Sequence, residues 1–323
     1  RACPPSRSKP VYASKDAPGE VQRTSNMPVM DKLKAISGSA AIVGVAESDN
    51  IGRVPEKGPM ELHAEAGRNA LADAGIDKSE VDGVFTAGYS TYDIAEYMGI
   101  TPHFTDSTSV GGSSFVIHIA HAMAAIEAGY CEVALITHGE SGRSNRARPG
   151  GNPGLAAAQY EAPYGIMGAP IGYSLAANRY MHQYGEDRTR EAMANIAVST
   201  RKWANMNEKA YFYDTPMSFD EYHDSRWVSW PFHLPDCCLV TDAGAAIVVT
   251  SAERAKSTKK GGVRVLGAAE GHDHSVLHQM PDLTRTWGRH TGPQALEMAG
   301  VTHDELDLAM IYDSFTYTVI ATL

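Results

Sequence analysis

The sequence predicts an α/β protein in which one strand–helix–strand unit occurs twice. The first copy has an apolar stretch at residues 39–47, a helical pattern at residues 59–74 and a second apolar stretch at residues 81–85. This order is typical of a parallel sheet, because two parallel strands need a long crossover connection. The second copy lies near the other end of the chain, and a glycine-rich turn opens a further apolar helix between the two copies.

The repeat rests on a gapless match between residues 70–82 and residues 295–307. Both segments contain a helix end, a glycine, an acidic loop and the start of a strand. Upstream of each segment lies a strand glycine, Gly44 in the first copy and Gly267 in the second. Several shared elements in one order indicate internal duplication rather than chance similarity between helices. The second copy stops soon after Tyr312, so we expect its half of the sheet to be incomplete and its edge to need a partner.

Between the repeats, each remaining element of the first half has its own signal. The helix at residues 59–74 carries its apolar side chains on one face and stops at Gly75. We expect a buried helix at residues 115–128, a strand at residues 132–138, and a strand at residues 240–250 that closes the sheet.

We divide the chain into three parts. Residues 1–36 are polar, rich in Pro and Ser and without periodicity, which predicts a disordered extension. Residues 37–262 form the first half, and residues 263–323 begin the second half. The first half contains an insertion at about residues 143–235, rich in Gly, Pro, Tyr, Trp and Arg. Long insertions on a layered core are where ligand and partner contacts are expected.

Within the insertion, two helical patterns are separated by Gly185. They cover residues 171–184 and residues 188–207, and neither has the composition of a strand in the parallel sheet. Residues 220–235 are aromatic and loop-like.

The composition excludes several classes of protein. The 323 residues are 43% hydrophobic and carry a net charge of −10, so no basic surface for nucleic acid is expected. No apolar stretch of about 20 residues is present, which excludes a membrane-spanning helix. Four cysteines, two of them adjacent, do not make a disulfide framework, so we expect a cytoplasmic protein.

The turn at residues 106–114 has the form of a catalytic turn. It is a run of small residues that opens a helix, and the first N–H groups of a helix are free to bind developing negative charge. Ser109 occupies the place where a nucleophile is expected. The alternative is structural: the glycines allow close packing of helix and strand, and the serines cap the helix.

The histidines at 272, 274 and 278 have a spacing that permits metal binding if their loop folds back on itself. No further ligand cluster accompanies them, and loop histidines are more often hydrogen-bond partners. We therefore predict no metal site.

Five segments together resemble the thiolase superfamily, in particular the sterol-carrier-type thiolases and the lipid-transfer-protein group of thiolase-like enzymes. They are residues 40–45, 70–82, 106–141, 236–246 and 312–315. The resemblance covers the chain from about Ala40 to its end. It implies a duplicated, five-layered α/β/α/β/α fold, which agrees with the repeat and whose second half is truncated here.

Three departures from the thiolase pattern point to a different reaction. Ser109 stands where thiolases carry a cysteine nucleophile, and a serine hydroxyl is a much poorer nucleophile unless a base activates it. Tyr312 stands where the family has an Asn or His that helps to form an oxyanion hole. The C-terminal histidine and cysteine loops of the family have no counterpart. Loss of the nucleophile on a retained scaffold resembles thiolase-like retro-aldolases, which act on β-hydroxyacyl-CoA thioesters of sterol side chains.

The resemblance assigns roles to specific residues. Tyr312 is the expected base and Asp313 supports it, while Ser109 marks the turn where the enolate is held. A phenol has an unperturbed pKa of about 10, so Tyr312 would need a cationic neighbour or a substrate-bound water to act as a base. Binding of the CoA thioester is assigned to the following residues: Gly111, Gly112, Ser113, Arg143 and Arg226.

The same resemblance implies the partners. CoA enters as part of the substrate, and no permanently bound cofactor is expected. We expect a homodimer formed through the first-half sheet, with an OB-fold partner protein that carries a zinc ribbon. Two alternatives stay open at this point: an acyltransferase of the thiolase type, and a catalytically silent subunit that binds acyl-CoA or lipid.

Overall fold

A computed structural model of the protein describes residues 27–145 and 154–323. The strands are β1 (Ala40–Glu47), β2 (Gly83–Thr86), β3 (Phe104–Asp106), β4 (Val133–Ser141), β5 (Trp227–Ser229), β6 (Phe232–His233), β7 (Asp242–Ser251) and β8 (Val263–Arg264). The helices are α1 (Met27–Ala35), α2 (Pro59–Ala74), α3 (Thr91–Met98), α4 (Ser114–Glu127), α5 (Ala156–Tyr160), α6 (Ala169–Tyr184), α7 (Glu186–Ala204), α8 (Phe219–Asp224), α9 (Ala252–Ala255), α10 (Gly288–Ala299) and α11 (Thr316–Thr322).

Six strands form one mixed sheet in the order β3–β2–β4–β7–β1–β8, and β5 and β6 form a separate hairpin. β2 pairs in parallel with both β3 and β4, whereas β7 is antiparallel to both β4 and β1. β1 and β2 therefore run in the same direction, as predicted, but β4 and β7 lie between them. Helix α4 joins the parallel strands β3 and β4, and the turn at residues 106–114 lies between β3 and α4.

Helices cover both faces of this sheet. Alternate residues of β4 show the two faces, since Val133 and Leu135 pack with α2, whereas Ala134 and Ile136 pack with α4. Helix α1 adds Met30 and Leu33 to the α4 side. Both faces of β4 are apolar, which explains why this strand has no alternation of polar residues in its sequence.

Each copy of the repeat has a close contact between a strand glycine and the helix that follows it. A Cβ atom on Gly44 would lie 2.4 Å from the carbonyl oxygen of Ala70, and one on Gly267 would lie 2.1 Å from that of Ala295. Only glycine permits these approaches. Helices α2 and α10 also both end at a glycine in the left-handed conformation.

The second copy forms less of a sheet than the first. Its one described strand, β8, pairs with β1 at the edge of the first-half sheet, and residues 307–312 are irregular. The side chains of Leu306, Leu308 and Met310 are exposed there. Apart from the β5–β6 hairpin, the described residues thus form one six-stranded sheet with helices on both faces, and they do not form the second layered sheet implied by a five-layered fold.

The prediction that residues 1–36 form a disordered extension is wrong for residues 27–36. Helix α1 occupies Met27–Ala35, and Lys34 forms an ion pair of 3.1 Å with Glu297 of α10. Packing against the core, rather than a strong local signal, stabilises this short helix. Residues 1–26 lie outside the described part of the chain.

The insertion forms a helical layer that packs on the end of the chain. Helices α6 and α7 flank Gly185, as predicted, and they bury Ala177 and Met193 with Phe315 and Tyr317. This packing fixes the segment that carries Tyr312. None of the described helices is long and apolar enough to cross a membrane.

Candidate active site

The C-terminal end of β4 and the N-terminal end of α4 lie side by side, because α4 returns the chain from β3 to a parallel strand. The ring of His138 on β4 lies 4.5 Å from that of Phe115 on α4. Just before β7, the backbone of Cys237 pairs with that of Phe315 in an isolated antiparallel β-bridge. The N–H of Cys238 donates to the carbonyl of Ser314 at 3.1 Å. These contacts bring the segment with Tyr312 to the mouth of the turn.

The turn itself is held by Ser114. The buried hydroxyl of Ser114 accepts from the N–H of Val110 at 2.9 Å and donates to the carbonyl of Gly111 at 2.6 Å. Gly111 has a φ of 84°, which favours glycine. Within residues 27–145 and 154–323, the N–H groups of Gly112 and Ser113 have no acceptor. Two donors at the positive end of a helix are thus available for an oxyanion.

Tyr312 lies directly against this turn. A Cβ atom on Gly112 would be 2.1 Å from the phenolic oxygen of Tyr312, so the hydroxyl touches the backbone of the turn. The structure therefore brings together two residues that are far apart in the sequence and that the resemblance assigns to one site. Ser109, in contrast, is exposed and makes no hydrogen bond within the described residues.

The surroundings of Tyr312 raise the pKa of its phenol. Burial raises the pKa of Tyr312, and Cys238, Tyr173, Glu140 and Asp313 raise it further, in that order. No cation that would lower the pKa of Tyr312 is among them, so a role as base would depend on a substrate-bound water, and the raised pKa favours the protonated phenol.

Three of these neighbours were not assigned to the site from the sequence: Glu140, Tyr173 and Cys238. Glu140 and His138 lie on the same face of β4, with 3.7 Å between His138 Nε2 and Glu140 Oε1. Burial lowers the pKa of His138, and its buried Nδ1 has no partner within the described residues. The segment with Glu140 belongs to the family resemblance, which was the one available signal. Cys238 also lies in a segment of that resemblance, at residues 236–246, whereas Tyr173 gave no signal, because its proximity depends on contacts distant in the chain.

The two arginines assigned to CoA make their described contacts with residues other than those of the turn. Arg143 donates its main-chain N–H to Asp242 at 2.9 Å, and its guanidinium lies 5.6 Å from the ring centre of Tyr211. Arg226 is exposed next to Cys237, where its charge opposes the burial that raises the pKa of that thiol to about 11. Neither arginine forms a hydrogen bond with the turn in the described structure.

The loop histidines have protein partners instead. His274 Nδ1 lies 2.5 Å from Asp273, and His278 Nδ1 lies 3.0 Å from Glu161. Across residues 27–145 and 154–323, no group of three or more His, Cys, Asp or Glu side chains is arranged to hold a metal ion.

His63, behind β4, gives the structure a measurable pH dependence. Its Nδ1 lies 2.9 Å from Thr137 Oγ1, and burial, followed by the charge of His138, lowers its pKa from 6.5 to about 3. Between pH 6.5 and pH 3, His63 is therefore protonated in the unfolded chain but neutral in the folded protein. The stability that is present above pH 6.5 is lost as the pH falls towards 3.

Between pH 7 and pH 5, we expect His63 alone to lower the free energy of unfolding by about 2 kcal/mol. Urea unfolding of His63→Gln at both pH values should show a pH effect smaller by that amount. His303→Gln, at an exposed histidine, should keep the full effect. An equal pH effect in His63→Gln and the wild type would contradict this assignment.

Comparisons with known proteins identify the family. Residues 269–323 match the family model described as thiolase C-terminal domain-like. A steroid side-chain-cleaving aldolase of Thermomonospora curvata is 32% identical over 313 residues, which cover 90% of this chain and 78% of the relative. A 17-hydroxy-3-oxo-4-pregnene-20-carboxyl-CoA lyase of Mycobacterium tuberculosis is 32% identical over 311 residues, covering 88% of this chain and 78% of that protein.

Solved structures agree with these relatives. The Ltp2-ChsH2(DUF35) aldolase has a TM-score of 0.81 and 29% identity, and the match covers 89% of this chain and 76% of that chain. Human mitochondrial 3-ketoacyl-CoA thiolase, at 16% identity and a TM-score of 0.63 over 89% of this chain and 82% of its own, supports the fold alone. The predicted resemblance is confirmed: the chain belongs to the thiolase superfamily, in the group that contains the steroid side-chain-cleaving aldolases.

Proposed function

We propose that the protein is a carbon–carbon lyase that cleaves a β-hydroxyacyl-CoA thioester by a retro-aldol reaction. The observation that carries this proposal is the contact of the Tyr312 hydroxyl with Gly112. Within the described residues, the turn at Gly112 has two N–H groups without an acceptor, and its Ser109 makes no hydrogen bond that would activate it as a nucleophile. The relatives of 32% identity named as aldolase and lyase support the same reaction class.

The reaction follows from these groups. A carboxylate, Asp313 or Glu140, accepts the proton of the β-hydroxyl, and the oxygen electrons form a carbonyl as the Cα–Cβ bond breaks. The electron pair of that bond forms the thioester enolate, whose oxygen accepts hydrogen bonds from the N–H groups of Gly112 and Ser113. Tyr312 transfers its phenolic proton to Cα, and the carboxylic acid returns a proton to the phenolate. The products are a carbonyl compound and a shortened acyl-CoA, and the reaction as written needs no bound cofactor.

Acyl transfer of the thiolase type is the second candidate, since two acetyl-CoA acetyltransferases are also relatives, at 26% and 25% identity. It needs an activated nucleophile at the turn. Ser109 makes no hydrogen bond to a base within the described residues, and burial raises the pKa of the Cys238 thiol near Tyr312, which disfavours the thiolate. If the protein binds acyl-CoA but turns over no thioester, it is a catalytically silent acyl-CoA-binding subunit.

The proposal includes two partners. The solved aldolase pairs Ltp2 with ChsH2(DUF35), and we propose an OB-fold and zinc-ribbon partner in the same place for this chain. We also propose a homodimer through β3, because among the described strands β3 pairs with β2 alone and so lies at an edge of the sheet. Arg143 and Arg226 remain proposed contacts of the CoA phosphates.

The test is a substrate panel with the purified chain, alone and with a DUF35 protein. We expect a β-hydroxy polycyclic acyl-CoA to give a ketone or aldehyde and a shorter acyl-CoA, and acetyl-CoA to give no acetoacetyl-CoA. Formation of acetoacetyl-CoA without cleavage would overturn the proposal in favour of the acyltransferase. Light scattering of the same samples tests the dimer.

A further inference from the structure

We infer that His121 is a positioning residue of the candidate active site. Held between Asp106 and Glu270, its ring links the turn at residues 106–114 to the second half of the chain. This link keeps the N–H groups of the turn in the position that the proposed enolate needs. The inference deepens the proposed function and rests on it for the use of those N–H groups.

His121 lies on α4 between two carboxylates. Its Nδ1 is 2.5 Å from Asp106 Oδ2, and its Nε2 is 3.2 Å from Glu270 Oε1. A carboxylate accepts hydrogen bonds, whereas a neutral imidazole has only one N–H to donate. Both contacts are therefore hydrogen bonds only when the ring carries a proton on each nitrogen, as an imidazolium. We call this charge-assisted arrangement the His121 bridge.

The His121 bridge reaches the turn through Thr108. Asp106 Oδ1 accepts from the N–H of Thr108 at 2.7 Å. The carbonyl of Thr108 lies 3.0 Å from Nε2 of the fully buried His118, which must donate because a carbonyl only accepts. His118 precedes His121 by about one turn of α4. Ser114 holds the other end of the turn, so the backbone between these two anchors takes its position from them.

The other end of the His121 bridge lies in the second half of the chain. Glu270 follows β8 and precedes α10. The next residue, Gly271, is packed so closely that a Cβ atom on it would lie 2.1 Å from Nε1 of Trp287. Packing against Trp287 therefore fixes the backbone beside Glu270. Tyr312 belongs to the same half, so the bridge joins the half that carries Tyr312 to the turn that Tyr312 touches.

The charged and titratable groups that face His121 come from three elements. Asp106 lies on β3, Glu270 lies in the segment after β8, and His118 lies on α4 itself. Burial lowers the pKa of His121, but the hydrogen bonds and charges of Asp106 and Glu270 outweigh burial and raise it. Burial lowers the pKa of His118, so a neutral His118 does not oppose the imidazolium. The bridge is thus complete near pH 6 and loses a hydrogen bond as the pH rises through the raised pKa of His121.

The first experiment is an NMR titration of the whole chain from pH 6 to 9. We expect the ring C–H signals of His121 to titrate with a midpoint above about 6.5, the ordinary pKa of histidine. The N–H signals of Gly112 and Ser113 should shift with the same midpoint. Glu270→Gln removes a charge from a half-exposed side chain, so the protein should stay folded and the midpoint should fall. His103→Gln, at an exposed histidine just before β3, is the matched control and should leave both titrations unchanged.

Steady-state kinetics with the DUF35 partner give the second readout. His121→Gln should lower kcat for cleavage about 10-fold with little change in KM, because loss of a whole oxyanion donor costs about 100–1,000-fold and a misplaced donor costs less. His121→Arg, a permanent cation with donors for two carboxylates, should restore most of kcat. It should also hold the N–H signals of the turn near their low-pH positions up to pH 9. Urea unfolding establishes that each variant is folded.

The inference would be overturned by N–H signals of Gly112 and Ser113 that do not follow His121, or by a His121 midpoint at or below about 6.5. An unchanged kcat in His121→Gln would also overturn it. The titration needs no substrate, so its result is separate from the proposed reaction. If the N–H signals follow His121 but the wild type cleaves no β-hydroxyacyl-CoA, the link between His121 and the turn stands and the lyase proposal fails.

Discussion

Tyr312→Phe is expected to lower kcat for cleavage by about 100-fold or more, the usual effect of losing a positioned proton donor. The change removes one oxygen and keeps the ring that packs against Gly112, so KM should change little. Because the pKa of the Tyr312 phenol is raised above its ordinary value of about 10, we expect the wild type to show no loss of activity from Tyr312 deprotonation up to about pH 10. Steady-state kinetics from pH 6 to 10 with the DUF35 partner present measure both effects.

Tyr164→Phe is the matched control for Tyr312→Phe, since the Tyr164 side chain is 85% exposed and far in sequence from the turn. Its kinetics should equal those of the wild type. Ser109→Ala should retain most activity if the turn contributes N–H groups, and should lose nearly all of it if Ser109 attacks the substrate. Full activity in Tyr312→Phe would remove Tyr312 from the reaction.

Asp242→Ala is expected to lower the free energy of unfolding by roughly 3–5 kcal/mol, as removal of a buried, fully bonded charge does. The carboxylate is completely buried and accepts from the N–H groups of Val54, Arg143 and Ser144 and from the Ser144 hydroxyl. Burial alone would raise its pKa, but these hydrogen bonds outweigh burial and lower the pKa to about 2. The variant leaves all four donors without an acceptor.

Urea unfolding of Asp242→Ala measures this loss. Asp307→Ala, at an exposed acid with no partner within the described residues, should stay within about 0.5 kcal/mol of the wild type. A loss below about 1 kcal/mol in Asp242→Ala would mean that water replaces the carboxylate at its donors.

Elements with strong local signals were predictable from the sequence. The bounds of α2 agree with the pattern because its apolar face and the glycine stop act within the segment itself. Strand β3 and helix α3 were missed, since β3 has only three residues and depends on pairing with β2. The structure of α1 also depends on tertiary contacts, among them the ion pair of Lys34 with Glu297.

The candidate site was predictable only in part. The turn and Tyr312 follow from the family resemblance, because their residue types and order survive in the sequence. The acidic surroundings of Tyr312 did not follow, since Glu140 and Cys238 reach it through the pairing of Cys237 with Phe315. Those surroundings raise the pKa of the phenol, and for that reason the proposed reaction uses Tyr312 as a proton donor.

The sheet order has a kinetic consequence. Ser141 and Asp242 are paired across β4 and β7, so the 100 residues from 142 to 241 form one loop between adjacent strands. Closing such a loop costs about 2 kcal/mol more chain entropy than closing a ten-residue loop. Contacts this distant in sequence slow folding. We therefore expect β4–β7 pairing to form late, after the insertion helices have shortened the effective distance between its ends.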